Sequence, residues 1–283
     1  MRNSIKIIAM LLAVLLLCGC NGNAAEPTQT EATQPTAPLL AEVATQEELV
    51  KALAESPRIT LVADVQLTNM VGMKDRILDG GGHTITGPEL QQVEVENAEG
   101  KKEMQNVVET ENAVMICSGT VENLNIQGAY RCMGDCQAYP MNGDVRIKNV
   151  NAEGTLYALS IGRGNKNGSL YVENCTLRGW VNINKIKNAQ FKNCTFGFDS
   201  NGKNGYFRCF IDTTLIGCNF EPWVKENGST TRYNISFYKN TSGVILTLED
   251  CYVGDTLITQ DNVGKLLKLS LTGNKVVVRN TVQ

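Results

Sequence analysis

The stretch SLYVENCTLRG, residues 169–179, alternates apolar and polar residues, breaks at Asn174, and then alternates again. Such alternation is typical of β-strands that bury one face. Asparagine tolerates the left-handed backbone conformation that a sharp corner requires. The stretch therefore predicts two strands that meet at Asn174, with Val172, Cys175 and Leu177 pointing inward.

The same arrangement recurs along the chain at spacings of 19 to 41 residues. The aligned copies are GGGHTITG (80–87), VENLNIQG (121–128), IKNVNAEG (147–154), VENCTLRG (172–179), FKNCTFGF (191–198), LIGCNFEP (215–222), LEDCYVGD (248–255) and LTGNKVVV (271–278). Their corner positions are Gly82, Asn123, Asn149, Asn174, Asn193, Gly217, Asp250 and Gly273. A repeat of this length predicts a solenoid, in which the strands of successive turns stack about 4.8 Å apart. We expect a positive φ at every corner, because only Asn, Asp and Gly occupy it.

The residue after each corner forms a second predicted row inside the solenoid. Its members are Leu124, Val150, Cys175, Cys194, Cys218 and Cys251. Free cysteine is commonly a small buried residue, so we interpret this row as core. No histidine joins it, and the sequence predicts neither a metal site nor a cofactor.

The N-terminus predicts export and attachment to a membrane. Residues 1–19 have a basic start and a short apolar run, which is typical of a signal peptide. Leu17 to Cys20 resemble a bacterial lipobox, so Cys20 is the predicted lipidation site. An ordinary signal peptide, or an anchor that is not processed, is the alternative. These features predict an exported lipoprotein at the bacterial cell surface or on the periplasmic side.

The segment that follows divides into a tether and a folded domain. Residues 20–44 are rich in Thr, Ala, Pro, Gln and Glu, which predicts a disordered tether. Thr45 and Glu48 form a capping-box pattern, which predicts a helix over residues 46–55 that covers the first edge of the solenoid. The folded domain is then expected over residues 45–283. The whole chain has a mildly acidic net charge of −3, which argues against nucleic acid as a partner.

The passages EELVKALAESPRITLVADVQLTN (47–69) and ILDGGGHTITG (77–87), with the repeated Asn-Cys corners, resemble the pectin-lyase-like superfamily. The resemblance implies an all-β fold, a single-stranded right-handed parallel β-helix with a short N-terminal capping helix. This superfamily contains lyases, hydrolases and surface proteins, so the resemblance does not decide between catalysis and binding.

In the family's enzymes the substrate lies along one outer sheet, and this implies where a ligand would contact the chain. We place the corresponding strands near residues 114–117, 156–161, 180–184, 207–212, 234–238 and 255–259. Aromatic rings beside polar groups could stack on and hydrogen-bond to a polysaccharide or cell-surface glycan. The candidate ligand-binding residues are Trp180, Asn182, Asn184, Tyr206, Arg208, Phe210, Asp212 and Tyr238. The alternative is that these aromatic rings pack under neighbouring loops.

The sequence gives weak support for catalysis, and we assign no catalytic residue. Asp212 is the only carboxylate on the expected face, and we interpret it with Arg208 as a surface ion pair. The string RIK (146–148) matches a short hydrolase motif, but the companion acidic motifs are missing. His83 is interpreted as a core or turn residue. A non-catalytic binding protein is therefore the main hypothesis, and a polysaccharide lyase or glycoside hydrolase with an unusual site is the alternative.

Three further segments are expected to leave the solenoid. Residues 91–112 predict a charged hairpin, and residues 221–233 predict a second excursion that contains Trp223. Residues 130–140 predict a loop that holds Cys132 and Cys136. For these two cysteines a local disulfide and a pair of reduced thiols both remain open.

Overall fold

The structure is a computed structural model that describes residues 40–162, 167–238 and 241–281. The predicted signal peptide, the predicted lipidation site Cys20 and residues 20–39 of the predicted tether lie outside the described residues.

The described part of the chain is an all-β protein with three short helices. The helices are α1 (Gln46–Glu55), α2 (Val108–Glu111) and α3 (Val263–Leu266). The strands are β1 (Leu40–Val43), β2 (Arg58–Leu61), β3 (Val65–Gln66), β4 (Val71–Met73), β5 (Arg76–Asp79), β6 (Thr84–Thr86), β7 (Gln92–Glu96), β8 (Lys102–Asn106), β9 (Asn112–Ile116), β10 (Gly119–Gln127), β11 (Arg131–Gly134), β12 (Val145–Ile161), β13 (Leu170–Glu173), β14 (Thr176–Ile183), β15 (Ala189–Lys192), β16 (Thr195–Gly197), β17 (Tyr206–Cys209), β18 (Thr213–Ile216), β19 (Asn219–Phe220), β20 (Trp223–Val224), β21 (Thr230–Thr231), β22 (Asn234–Phe237), β23 (Ile245–Glu249), β24 (Tyr252–Val253), β25 (Thr256–Leu257), β26 (Lys268–Ser270) and β27 (Lys275–Arg279).

Most strands belong to one large sheet whose pairings are parallel, apart from the antiparallel pair β24–β25. The pairings form three ladders. Ladder 1 joins β1, β2, β5, β10, β12, β13, β15, β18, β23 and β27. Ladder 2 joins β3, β6, β10, β12, β14, β16, β19 and β24. Ladder 3 joins β4, β9, β11, β12, β14, β17, β22 and β26. Each repeat contributes strands to ladders 1, 2 and 3 in that order. The chain then re-enters ladder 1, where its next strand pairs with the ladder 1 strand of the preceding repeat.

The corner between ladder 1 and ladder 2 has the predicted left-handed backbone in seven of the eight repeats. The φ values are 85° at Gly82, 52° at Asn123, 53° at Asn149, 54° at Asn174, 52° at Asn193, 59° at Gly217 and 49° at Asp250. The eighth assignment is wrong. Gly273 also has a positive φ, but it lies between β26 in ladder 3 and β27 in ladder 1.

The corner asparagines also bond to one another through their side chains. The Nδ2 of Asn149 donates to the Oδ1 of Asn123 at 2.9 Å, and Asn123 in turn donates to Asp79 at 3.1 Å. Asn174 and Asn193 continue the row, each at 3.4 Å from its neighbour. The row ends at Gly217, where a Cβ atom would lie 2.7 Å from the Oδ1 of Asn193.

The predicted internal row of cysteines is confirmed. Cys175, Cys194, Cys218 and Cys251 are at most 2% exposed and belong to a continuous apolar core that all three ladders line. Each thiol donates to a backbone carbonyl of its own corner, as Cys175 does to Glu173 at 3.1 Å. Burial, together with the neighbouring thiols Cys194 and Cys251, raises the pKa of Cys218 well above its usual value. Cys218 is therefore a neutral core residue.

The N-terminal helix begins and ends where the sequence predicts. Thr45 caps α1, and its side chain and that of Glu48 bond reciprocally to the backbone, while Leu49, Ala52 and Leu53 are buried. The folded region, however, begins earlier than residue 45. Leu40–Val43 form β1, which pairs in parallel with β2, so the last residues of the predicted tether belong to ladder 1.

Two predicted excursions are confirmed as antiparallel hairpins, formed by β7 with β8 and by β20 with β21. Both leave the sheet after ladder 2 and return to it in ladder 3. Two other assignments are wrong. Residues 131–134 form β11 of ladder 3 rather than a loop, and the last described strand of ladder 3 is β26 rather than residues 255–259.

Candidate binding surface on ladder 3

The outer face of ladder 3 carries the aromatic and polar residues that the sequence singled out. Along β14 and β17 the side chains alternate between buried and half-buried, as predicted. Val181, Ile183 and Cys209 point into the core. Trp180 pairs with Tyr206, and Asn182 pairs with Arg208. These cross-strand pairs bring four of the eight candidate residues together.

Trp180 lies inside a stack of aromatic rings rather than on an open surface. Its ring centroid is 5.3 Å from that of Tyr157 and 5.1 Å from that of Tyr206, and Tyr157 in turn lies 6.2 Å from Tyr130. The Cζ atom of Arg208 lies 5.1 Å from the centroid of Trp180. Trp180 is thus half-buried against rings of the paired strands β12 and β17, rather than under a loop.

The predicted ion pair between Arg208 and Asp212 does not form. The carboxylate of Asp212 accepts a hydrogen bond from the backbone N–H of Ile245 at 2.9 Å, and this bond joins the start of β23 to the residue just before its partner strand β18. Among the described residues no carboxylate lies within ion-pair distance of Arg208, whose guanidinium lies over the ring of Trp180. Asp212 thus has a structural partner, whereas the charge of Arg208 is available to a ligand.

A cavity of about 550 Å³ opens beside Arg208 on this outer face. Its lining residues are Tyr206, Arg208, Ser236, Phe237, Tyr238, Ser270 and Thr272. Tyr238 is 47% exposed, and its ring stacks on that of Phe210 with centroids 4.8 Å apart. Phe210 therefore supports one wall of the cavity. Asn184 and Asp212 do not line it.

The polar groups of the cavity come from neighbouring strands in register. Arg208 pairs with Ser236, which pairs with Ser270. The Oγ of Ser236 and the Oδ1 of Asn182 are buried atoms that have no hydrogen-bond partner among the described residues. The face can offer a cation, hydroxyl groups and an aromatic ring to a ligand. Beneath the face, burial raises the pKa of the Cys209 thiol.

Sequence reasoning missed part of this surface for identifiable reasons. Ser270 and Thr272 lie in and just after β26, whereas the sequence pattern predicts the last strand of ladder 3 at residues 255–259. Tyr157 was missed because the register shifts on both sides of it, which disrupts the simple alternation. The available signal is an aromatic residue six to eight positions after each corner: Tyr130 follows Asn123, Tyr157 follows Asn149 and Trp180 follows Asn174.

The other candidate sites of the sequence lie away from the cavity. The Nδ1 of His83 is 3.5 Å from Asp64, and the ring is partly exposed, so His83 is not a core residue. Ile147, in the string RIK, is buried, and Arg146 lies over the ring of Tyr171. Within the described ranges no group of three or more His, Cys, Asp or Glu residues is arranged to hold a metal ion. No helix among the described residues is long and apolar enough to cross a bilayer.

The cysteines of the predicted loop are both free in the structure. Cys132 is fully buried in the core, and its Sγ lies 3.6 Å from the carbonyl oxygen of Ile126. Cys136 follows β11 and is 8% exposed.

Comparison with known proteins gives no family for this chain. No family model matches it, and no curated protein is similar. Among solved structures, "L. reuteri 53608 SRRP" is similar to it at 14% sequence identity, over 85% of this chain and 96% of that chain, with a TM-score of 0.24. A score this low carries no argument about fold or function.

Proposed function

We propose that this chain is an exported, lipid-anchored surface protein that binds carbohydrate without catalysis on the outer face of ladder 3. We further propose that its three ladders wind as a right-handed parallel β-helix of the pectin-lyase-like kind. The repeated order of ladders and the left-handed corners support the winding. The lipobox-like sequence that ends at Cys20 supports the anchor.

The cavity beside Arg208 is the observation that carries the binding proposal. The ring of Tyr238 is held by Phe210 and is half exposed, so one face can stack on the C–H groups of a sugar ring. Ser270 and Thr272 provide hydroxyl groups, and Arg208 provides a guanidinium without a carboxylate partner among the described residues. An aromatic platform beside hydrogen-bonding groups is the combination that sugar binding requires.

Glycan-array screening of the full-length protein in detergent, followed by calorimetric titration of any glycan bound, tests the proposal. We expect Tyr238→Ala to weaken binding by about tenfold, because the stacking surface is removed. Tyr252→Ala is the matched control, since Tyr252 is 38% exposed and does not line the cavity. It should change the affinity by less than about twofold.

Equal losses in both tyrosine variants, or binding that neither variant changes, would place the glycan elsewhere and refute this site. Each bound glycan is also incubated with the protein and assayed for new reducing ends and unsaturated products. Product formation that Arg208→Ala or Asp212→Ala abolishes would replace the binding proposal with the lyase or hydrolase alternative.

A further inference from the structure

A second pair of cysteines lies outside the internal row, on neighbouring strands of ladder 3. β9 and β11 pair in parallel, with Val114 opposite Met133 and Met115 opposite Gly134. Cys117 follows Met115 by two residues, and Cys136 follows Gly134 by two residues. The same register therefore places Cys117 opposite Cys136, just beyond the ends of the two strands.

Backbone hydrogen bonds hold both cysteines in place. The N–H of Cys117 donates to Met73 at 2.9 Å, and its carbonyl accepts from the N–H groups of Asn142 and Gly143 at 3.0 and 3.2 Å. Cys136 and Tyr139 close a tight turn through two reciprocal bonds of 3.2 and 3.1 Å. Cys117 is thus held from two sides, and Cys136 is held within its own turn.

The two thiols differ from those of the internal row in exposure and in bonding. Cys117 is 6% exposed and Cys136 is 8% exposed, whereas Cys218 and Cys251 are completely buried. The row thiols donate to backbone carbonyls, but no hydrogen bond to either Cys117 or Cys136 sulfur is present among the described residues. Burial raises the pKa of Cys117, and the nearby Cys136 raises it further, which is consistent with two adjacent sulfurs.

We propose that Cys117 and Cys136 are a disulfide-forming pair that links two successive passes of the chain through ladder 3. Residues that face each other on adjacent parallel strands have Cα atoms about 4.8 Å apart, which is inside the range that disulfides span. Export into an oxidising compartment would favour the bond. Cys132 is not the partner of Cys136, because its sulfur lies in the core.

The bond forms by exchange with a small disulfide such as glutathione disulfide. One protein thiolate attacks the glutathione disulfide, forms a mixed disulfide and releases one glutathione thiol. The second protein thiolate then attacks the protein sulfur of the mixed disulfide and releases the second glutathione. The two protein thiols are oxidised by two electrons, and glutathione disulfide is reduced to two thiols.

The test is a peptide map of the full-length protein after incubation with glutathione disulfide and alkylation of the remaining thiols. Trypsin cleaves after Arg131 and Asp-N protease cleaves before Asp135, so Cys117, Cys132 and Cys136 are found on three separate peptides. We expect the peptides with Cys117 and Cys136 to be linked, and Cys132 to be unlinked. Reduction should release the two linked peptides.

Variants provide the matched controls. Cys117→Ser and Cys136→Ser should each abolish the link, whereas Cys132→Ser should keep it. The oxidised protein should melt about 5–10 °C above the reduced protein, because the bond closes a loop of about 20 residues. A link between Cys132 and Cys136, or full alkylation of Cys117 and Cys136 after oxidation, would overturn the proposal. The map of the unmodified sequence decides this even where a variant fails to fold.

Discussion

A left-handed residue in each repeat sets where the chain turns from ladder 1 to ladder 2. For most L-amino acids this conformation costs roughly 1–2 kcal/mol, and asparagine adopts it more readily. At Asn149 the side chain contributes as well, since it donates to Asn123 and accepts from Asn174. The corner asparagines thus stabilise the fold through their backbone and through their amide groups.

Replacement of Asn149 separates these two contributions. We expect Asn149→Ala to lower the free energy of unfolding by about 2–3 kcal/mol, through backbone strain and lost hydrogen bonds. Asn149→Gly should cost about 1 kcal/mol, because glycine accepts the positive φ and loses only the amide. Urea denaturation measures both variants.

Asn151→Ala is the matched control for this series, because Asn151 is an exposed neighbour in β12 with no side-chain hydrogen bond among the described residues. Its effect should stay within about 0.5 kcal/mol. Equal losses in the alanine and glycine variants of Asn149 would show that the backbone conformation contributes nothing.

Within each strand, the alternation of side chains fills the core with apolar groups and neutral thiols. Cys209 of β17 is fully buried, and burial raises its pKa above that of an unfolded thiol. Between those two pKa values the unfolded state binds fewer protons than the folded state. The stability linked to this thiol is therefore complete below about pH 8.5 and decreases above it.

The contribution of Cys209 to the alkaline loss of stability can be measured separately. Above pH 8.5 the free energy of unfolding should fall by about 1.4 kcal/mol per pH unit for each thiol whose pKa burial raises, as it does for Cys209. Cys209→Ala should lower the free energy of unfolding at every pH. It should also make the decrease of this free energy with pH less steep by the contribution of one thiol. Val181→Ala, at a buried non-titrating position of the same ladder, should lower stability and keep the slope. Urea denaturation from pH 7 to 10 under reducing conditions compares them, and identical slopes would contradict the assignment.

Strands with a local pattern could be predicted from the sequence, whereas strands defined by their neighbours could not. The corners carry Asn, Asp or Gly, and the residues on both sides of them alternate between apolar and polar. This pattern predicts the strands of ladders 1 and 2. β11 is short and lacks a clear alternation, and β26 alternates over only three residues; each is a strand because it pairs with neighbouring strands. The side of the cavity formed by Ser270 and Thr272 depends on β26, so these two hydroxyl groups could not be predicted from the sequence.

For the whole molecule, the first edge of the sheet is protected by both α1 and β1. Val43 is 2% exposed, and its carbonyl accepts from the N–H of Val62 at 2.9 Å. Exposed parallel edges favour aggregation, so β1 has a protective role as well as a packing role.

Two N-terminal truncations test that role. A fragment of residues 45–283 lacks β1, whereas a fragment of residues 37–283 retains it. We expect the shorter fragment to melt several degrees lower, by about 4–8 °C, and to aggregate sooner on heating. Calorimetry and light scattering measure the two effects. Equal melting temperatures would show that the folded domain begins at residue 45, as the sequence predicted.

The asparagine row has a direction, and Asp79 sets it. A carboxylate only accepts hydrogen bonds, so Asn123 must turn its NH₂ group toward Asp79 and its oxygen toward Asn149. Each following amide is then forced into the same orientation as far as Asn193. The amide dipoles consequently add head to tail, and a single acidic side chain near one end gives this surface an electrical polarity along the long axis of the stack.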